Sequence, residues 1–233
     1  MKTKSVLLSG LLTLLFVLPS VFSQANIIDD ERKVGNFESI KISGAFDVVL
    51  IPSDSEYVIV KCEQKYLDGV ETEVIDDVLK IYLNRRITKL EKGIKIEVYF
   101  KNIESIKTSG AVDVMSKGQL VFSHFEMDCS GATDVDLDLK VDKLEAEFSG
   151  ASDIDLRGKA GKVELSLSGA SELEAGDFVI ENLELDASGA SEAVVHVTGK
   201  LEAQVSGASS LRYKGNPESA EIDKSGVSSV KKI

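Results

Sequence analysis

Leu144-Glu145-Ala146-Glu147-Phe148-Ser149-Gly150-Ala151-Ser152-Asp153-Ile154-Asp155-Leu156 is the stretch that decides the fold. Leu144, Ala146 and Phe148 alternate with two glutamates before Ser-Gly-Ala, and Ile154 and Leu156 alternate with two aspartates after it. Period two with one polar face marks a half-buried β-strand. The stretch therefore reads as strand, tight corner, strand, and Arg157-Gly158-Lys159 supplies a second turn.

The unit recurs. Ser-Gly-Ala begins at Ser43, Ser109, Ser130, Ser149, Ser168, Ser188 and Ser206, with Ser-Gly-Val at Ser225. From Ser109 the steps are 21, 19, 19, 20, 18 and 19 residues, too even for chance. The flanks repeat as well, as Val163, Leu165 and Leu167 or Leu201, Ala203 and Val205. One unit cannot bury its own apolar face, but stacked units can, each strand pairing with its counterpart in the next. The pattern predicts an all-β chain folded as a single-stranded parallel β-helix, with coils of about 19–20 residues. Six coils between Gly110 and Gly226 would span roughly 29 Å.

The corner glycines, Gly44, Gly110, Gly131, Gly150, Gly169, Gly189, Gly207 and Gly226, are the structural positions of the repeat. They supply positive φ and let neighbouring coils approach. Residues 103–233 form the regular Ser-Gly-Ala section. Residues 24–102 form a less regular β section, read as wider coils of the same stack, with a separate small β domain as the alternative. Within it, Asp76-Asp77 reads as a hairpin turn.

Lys2 and Lys4, the apolar run from Val6 to Leu18 and the small residues after Pro19 read as a secretory signal peptide over residues 1–23. The run is shorter than the roughly 18–20 residues of a spanning helix, so the chain is expected not to span a membrane. The expected location is exported: periplasmic, outer surface or secreted. The chain carries 39 acidic against 27 basic residues, a net charge of −12, and loss of Lys2 and Lys4 deepens it. That sign repels phosphate backbones and argues against a nucleic-acid partner. Cys62 and Cys129 each fall in register with apolar neighbours, so both side chains point inward. An exported chain can hold a disulfide, and both paired and free forms fit the sequence.

Catalytic chemistry is thinly represented. His124 and His196 have no ligand-spaced partners and read as surface or edge residues. No Gly-x-Ser-x-Gly elbow is present, and a serine in every coil is a structural position. The sharpest lead is acidic. Asp47, Asp113, Asp134, Asp153, Glu172 and Glu192, then Ser210 and Ser229, each stand two residues after a motif's third residue. Stacking would align them. Such a row either stays a solvated acidic face or relieves its repulsion by weak calcium binding at Asp113, Asp134 and Asp153. No other cofactor is expected. Sugar-cleaving carboxylates need two unlike environments, which a uniform row does not provide.

The sequence resembles the DUF2807 family, described as auto-transporter adhesins with a head GIN domain. The resemblance rests on Phe37 with Ile40, on Ser43-Gly44-Ala45-Phe46-Asp47-Val48, and on the Ser-Gly-Ala units. Its most specific part is Leu211-Arg212-Tyr213-Lys214-Gly215-Asn216-Pro217, and it covers about residues 33–230. It implies a right-handed, pectin-lyase-like β-helix without catalytic residues, and a role in surface adhesion. Ser or Thr usually follows Ser-Gly-Ala here, where the resemblance implies Gly in many relatives, and this stiffens the corner. The expected function is a non-enzymatic envelope adhesin binding a surface protein or polysaccharide through a repetitive face, with homo-oligomers open. The alternative is a carbohydrate-active enzyme or polysaccharide-binding protein. A non-periodic cluster of mixed charges and aromatics would favour the enzyme.

Overall fold

A computed structural model describes residues 27–84 and 93–233. The leader read at residues 1–23 lies outside them. In chain order come β1 (Ile27–Lys33), β2 (Ser39–Pro52), β3 (Tyr57–Glu63), the one-turn helix α1 (Gln64–Leu67), β4 (Val70–Ile75), β5 (Val78–Leu83) and β6 (Lys95–Phe100). Then follow β7 (Ser105–Ala187), β8 (Glu192–Val205), β9 (Ser210–Lys214), β10 (Ser219–Lys224) and β11 (Ser229–Lys232).

The chain does not form the single-stranded parallel β-helix expected from the repeat, nor the right-handed one that the resemblance implied. Its described strands make one mixed sheet of 11 strands, neither a pectin-lyase-like nor a uniformly parallel structure. β1 pairs with β3, β3 with β6, and β4 with β5, all antiparallel. The cause is local. Asp76 and Asp77 both have positive φ, 52° and 59°, and turn the chain back on itself so that Ile75 faces Val78. A two-residue turn can join only antiparallel strands. Asp76-Asp77 is thus the hairpin expected there, and it belongs to antiparallel pairs instead of wider coils.

The remaining pairs are parallel. β2 runs beside β5, β6 and β7, with Ser43, Gly44 and Ala45 facing Ser109, Gly110 and Ala111. β7 pairs with β8, β8 with β9 and β10, and β9 with β11, all in the register of the repeat. Two shifts, between Ala175 and Val179 and between Ile180 and Asn182, interrupt β7 against β8. They lie where a 20-residue step is followed by one of 18. Together these irregularities take up the surplus and leave both flanks aligned.

Registry sorts the side chains into columns. Phe148, Leu167, Ala187 and Val205 occupy one buried column, and Ile154, Leu173, Ala193 and Leu211 another. Beside the corner, Thr133, Ser152, Ser171, Ser191 and Ser209 are also buried. Ser171 and Ser191 satisfy their hydroxyls on the carbonyls of Ser168 and Ser188, at 3.2 and 2.8 Å. The N-terminal strands are tied in by Arg32. Its guanidinium donates to the carbonyls of Leu67 and Val70 and pins α1 and β4 against β1. Cys62 and Cys129 are buried and unbonded.

Candidate functional site

The eight corner glycines all adopt positive φ, from 71° at Gly207 to 140° at Gly44. They place the two strands of each repeat on different faces, and each face carries its own row of charges.

The first face is formed by the strands that precede the corner. Registry sets Glu184 beside Glu202 and Glu202 beside Glu221. Glu126, Glu145 and Glu164 hold the same position in earlier repeats and share with Glu184 and Glu202 an open groove of about 520 Å³. Lysines two residues earlier neutralise part of this row. Lys143 donates to Glu145 and lies 3.4 Å from Glu164 of the next repeat. Lys162 donates to Glu164, and Lys200 to Glu202 at 2.7 Å. Hydrogen bonds from Lys143, Lys162 and Lys200 hold Glu145, Glu164 and Glu202 below the usual carboxylate range. His124, exposed as expected, lies 3.1 Å from Glu145.

The second face follows the corner. Asp113, Asp134, Asp153 and Glu172 line a groove of about 490 Å³ with Met115, Asp136, Asp155 and Glu174. Asp47 is in register with Asp113, and Glu172 with Glu192. Burial, then the charges of Asp134 and Asp47, raise the Asp113 carboxyl above its ordinary range. Arg157 bridges Asp136 and Asp155, and Arg212 lies 2.7 Å from Glu192. Asp113, Asp134 and Asp153 thus share a groove. Among the described residues, however, no three acidic, His or Cys side chains converge closely enough to hold a metal ion.

Two features escaped the sequence reading. The lysines at 143, 162 and 200 recur at one position of the repeat, a signal visible in the sequence once the glutamates are aligned. Tyr57 and Tyr99 stack with ring centroids 4.1 Å apart across the β3–β6 pair. Their partnership depends on antiparallel pairing, which no local pattern announces.

The family model described as "Putative auto-transporter adhesin, head GIN domain" matches residues 36–217. No curated protein matches the chain. A crystal structure of a "putative adhesin" from Bacteroides fragilis is similar with a TM-score of 0.86 and 23% identity, covering 90% of this chain and 98% of that one. One from Parabacteroides merdae, also a "putative adhesin", has a TM-score of 0.70 and 19% identity, over 89% and 96% of the two chains. A "putative lipid binding protein" from Parabacteroides distasonis has a TM-score of 0.69 and 21% identity, over 89% and 97%. At these identities the likeness is one of fold. No helix among the described residues is long and apolar enough to cross a membrane.

Proposed function

Because this chain belongs to the DUF2807 family, we propose that it is an exported adhesin of the cell envelope. It holds a surface partner along the row of glutamates that precedes the corners. The observation that carries this reading is the repetition itself. Glu184, Glu202 and Glu221 stand in register on adjacent strands, so carboxylates recur about every 4.8 Å along one face. Such a ladder suits an extended partner that presents cationic groups at many points, each contact weak and the sum strong. The net charge favours a basic partner and steers its approach.

The lysines hold Glu145, Glu164 and Glu202 in the anionic form, which disfavours them as general acids. A general acid needs the opposite shift. The test has two arms. Protease shaving of intact cells asks whether the full chain is exposed at the surface. Beads coated with the purified chain are then compared with beads carrying Glu145→Gln, Glu164→Gln and Glu184→Gln together, on surfaces of a basic protein and of a neutral polysaccharide. Adherence to the basic surface that falls at least tenfold in the variant supports the reading. Equal adherence of both chains overturns it.

A further inference from the structure

We infer that the face following the corners carries a second docking surface, and that its occupant is a cationic segment of another protein with an apolar anchor. The observation is a change of residue type at outward positions. Asp136, Asp155 and Glu174 stand six residues after their corner serines. In the two units before them that position holds Val49 and Met115, which face each other across β2 and β7. The apolar patch continues onto the antiparallel strands, where Ile51 faces Tyr99 and Tyr99 faces Tyr57, with Ile59 beside it. Val48, Leu50, Val58 and Val98 fill the core between these positions, so alternation turns the patch outward. Met115 is exposed, Val49, Ile59 and both tyrosines are half-buried, and Ile51 is buried although it faces outward.

A contiguous outward patch of aromatic, branched and methionine side chains with a charged rim has the composition of an interface core. It is also held in shape. Tyr57 and Tyr99 stack on each other, and the Tyr99 hydroxyl donates to Glu97 at 3.3 Å. Glu97 in turn lies 2.9 Å from the Lys61 ammonium. Side chains ordered in advance lose little freedom when a partner covers them.

Charge selects the occupant. Met115 lines the same groove as Asp113, Asp134 and Asp153. On the first face, Lys143, Lys162 and Lys200 pair with the glutamates. Here Arg157 serves Asp136 and Asp155, and among the described residues no cation pairs with Asp113, Asp134 or Asp153. Their mutual repulsion is relieved by an arriving ammonium or guanidinium, whereas a neutral or acidic segment would cover the patch without that gain. The occupant therefore joins an aromatic or aliphatic anchor, seated at Tyr57, Tyr99 and Met115, to lysines or arginines that continue along the row. This surface is separate from the glutamate row, so this inference and the proposed function can fail independently.

Fluorescence anisotropy of the purified chain is the test. The probe is a labelled peptide with phenylalanines followed by lysines, and the reference peptide has serine in place of each phenylalanine. Tyr57→Ser/Met115→Ser removes the anchor site, and Met115→Gln, at an exposed side chain, serves should the first variant fold poorly. Asp113→Asn/Asp134→Asn/Asp153→Asn removes the acidic row. Glu145→Gln/Glu164→Gln/Glu184→Gln is the control on the first face. The phenylalanine peptide is expected to bind at least tenfold more tightly than the serine peptide. That advantage is expected to disappear in Tyr57→Ser/Met115→Ser and to shrink at least threefold in Met115→Gln. The acidic-row variant is expected to weaken both peptides at least tenfold, and the control to leave the phenylalanine advantage unchanged. Equal binding of the two peptides, or an advantage that survives both patch variants or is lost in the control, would overturn the inference. So would binding to phosphatidylcholine vesicles that Met115→Gln abolishes, since the patch would then serve a lipid surface.

Discussion

The carbonyl oxygen of Gly131 occupies the space that a Cβ on Gly150 would need, and Gly150 itself has a φ of 112°. Gly150→Val meets two costs at once. Strained backbone costs about 1–3 kcal/mol, and crowding into the neighbouring strand about 1–3 kcal/mol more. Gly118 has a φ of 83° but nothing within 4 Å of its Cβ position. Gly118→Ala is therefore expected to cost only about 1 kcal/mol. Urea unfolding of the two variants separates conformation from crowding. Equal losses would mean that the close approach of the corners contributes nothing.

Acid should weaken the first face. Hydrogen bonds from Lys143 and Lys162 lower Glu145 and Glu164 below the ordinary value of 4.5. A lowered value means that the folded chain binds the proton less readily than the unfolded one. The stabilisation is then complete above the unfolded value and disappears as pH falls through the folded values. Lys143→Met/Lys162→Met removes the cause. The gap in melting temperature between the two chains is expected to close from pH about 7 to about 3. A gap that does not change with pH would show that the pairs contribute no linkage.

Asp113 should behave in the opposite sense. Its raised carboxyl means that the folded chain binds the proton more readily, so the charged form costs stability above the folded value and acid relieves it. Asp113→Asn is expected to raise the melting temperature at neutral pH, with the gain vanishing in acid. If screening alone acts on this row, sodium, magnesium and calcium chlorides at equal ionic strength give equal upward shifts. A larger shift in calcium would instead reveal a bound ion at Asp113, Asp134 and Asp153.

The thiols should be silent until the chain unfolds. Burial pushes Cys129 up to about 11, and raises Cys62 as well. The thiolate is the reactive form. Aromatic disulfide reagents at pH about 8 are expected to label neither cysteine in the native chain, and both in denaturant. Rapid native labelling of Cys129 would contradict its burial.

Alternation along the chain made the two faces legible before any coordinates. Which of Glu145 and Ala146 points outward follows from period two alone, and so does the inward setting of Cys62 and Cys129. Strand direction was not legible. Tyr57–Glu63 and Lys95–Phe100 alternate in the same way whether the partner runs parallel or antiparallel, because alternation encodes a face and carries no sense of travel. Only the turn at Asp76-Asp77 carried directional information, and it lay in the one section where the repeat was weak. Registry between distant residues, such as Glu184 with Glu202, followed from the period. The stacking of Tyr57 on Tyr99 did not, since neither belongs to a repeated position.

Gly110, Gly131, Gly150 and Gly169 stand in a single file, each against the carbonyl of the one before. Excising residues 150–168 would hand Gly169 the seat that Gly150 held, with every inward and outward side chain still facing its own way. A deletion one residue shorter would invert the faces of a whole strand. Recombination between neighbouring repeats can therefore keep both faces only when it adds or removes whole repeats. The reach of its charged ladder is a heritable quantity that changes by counting.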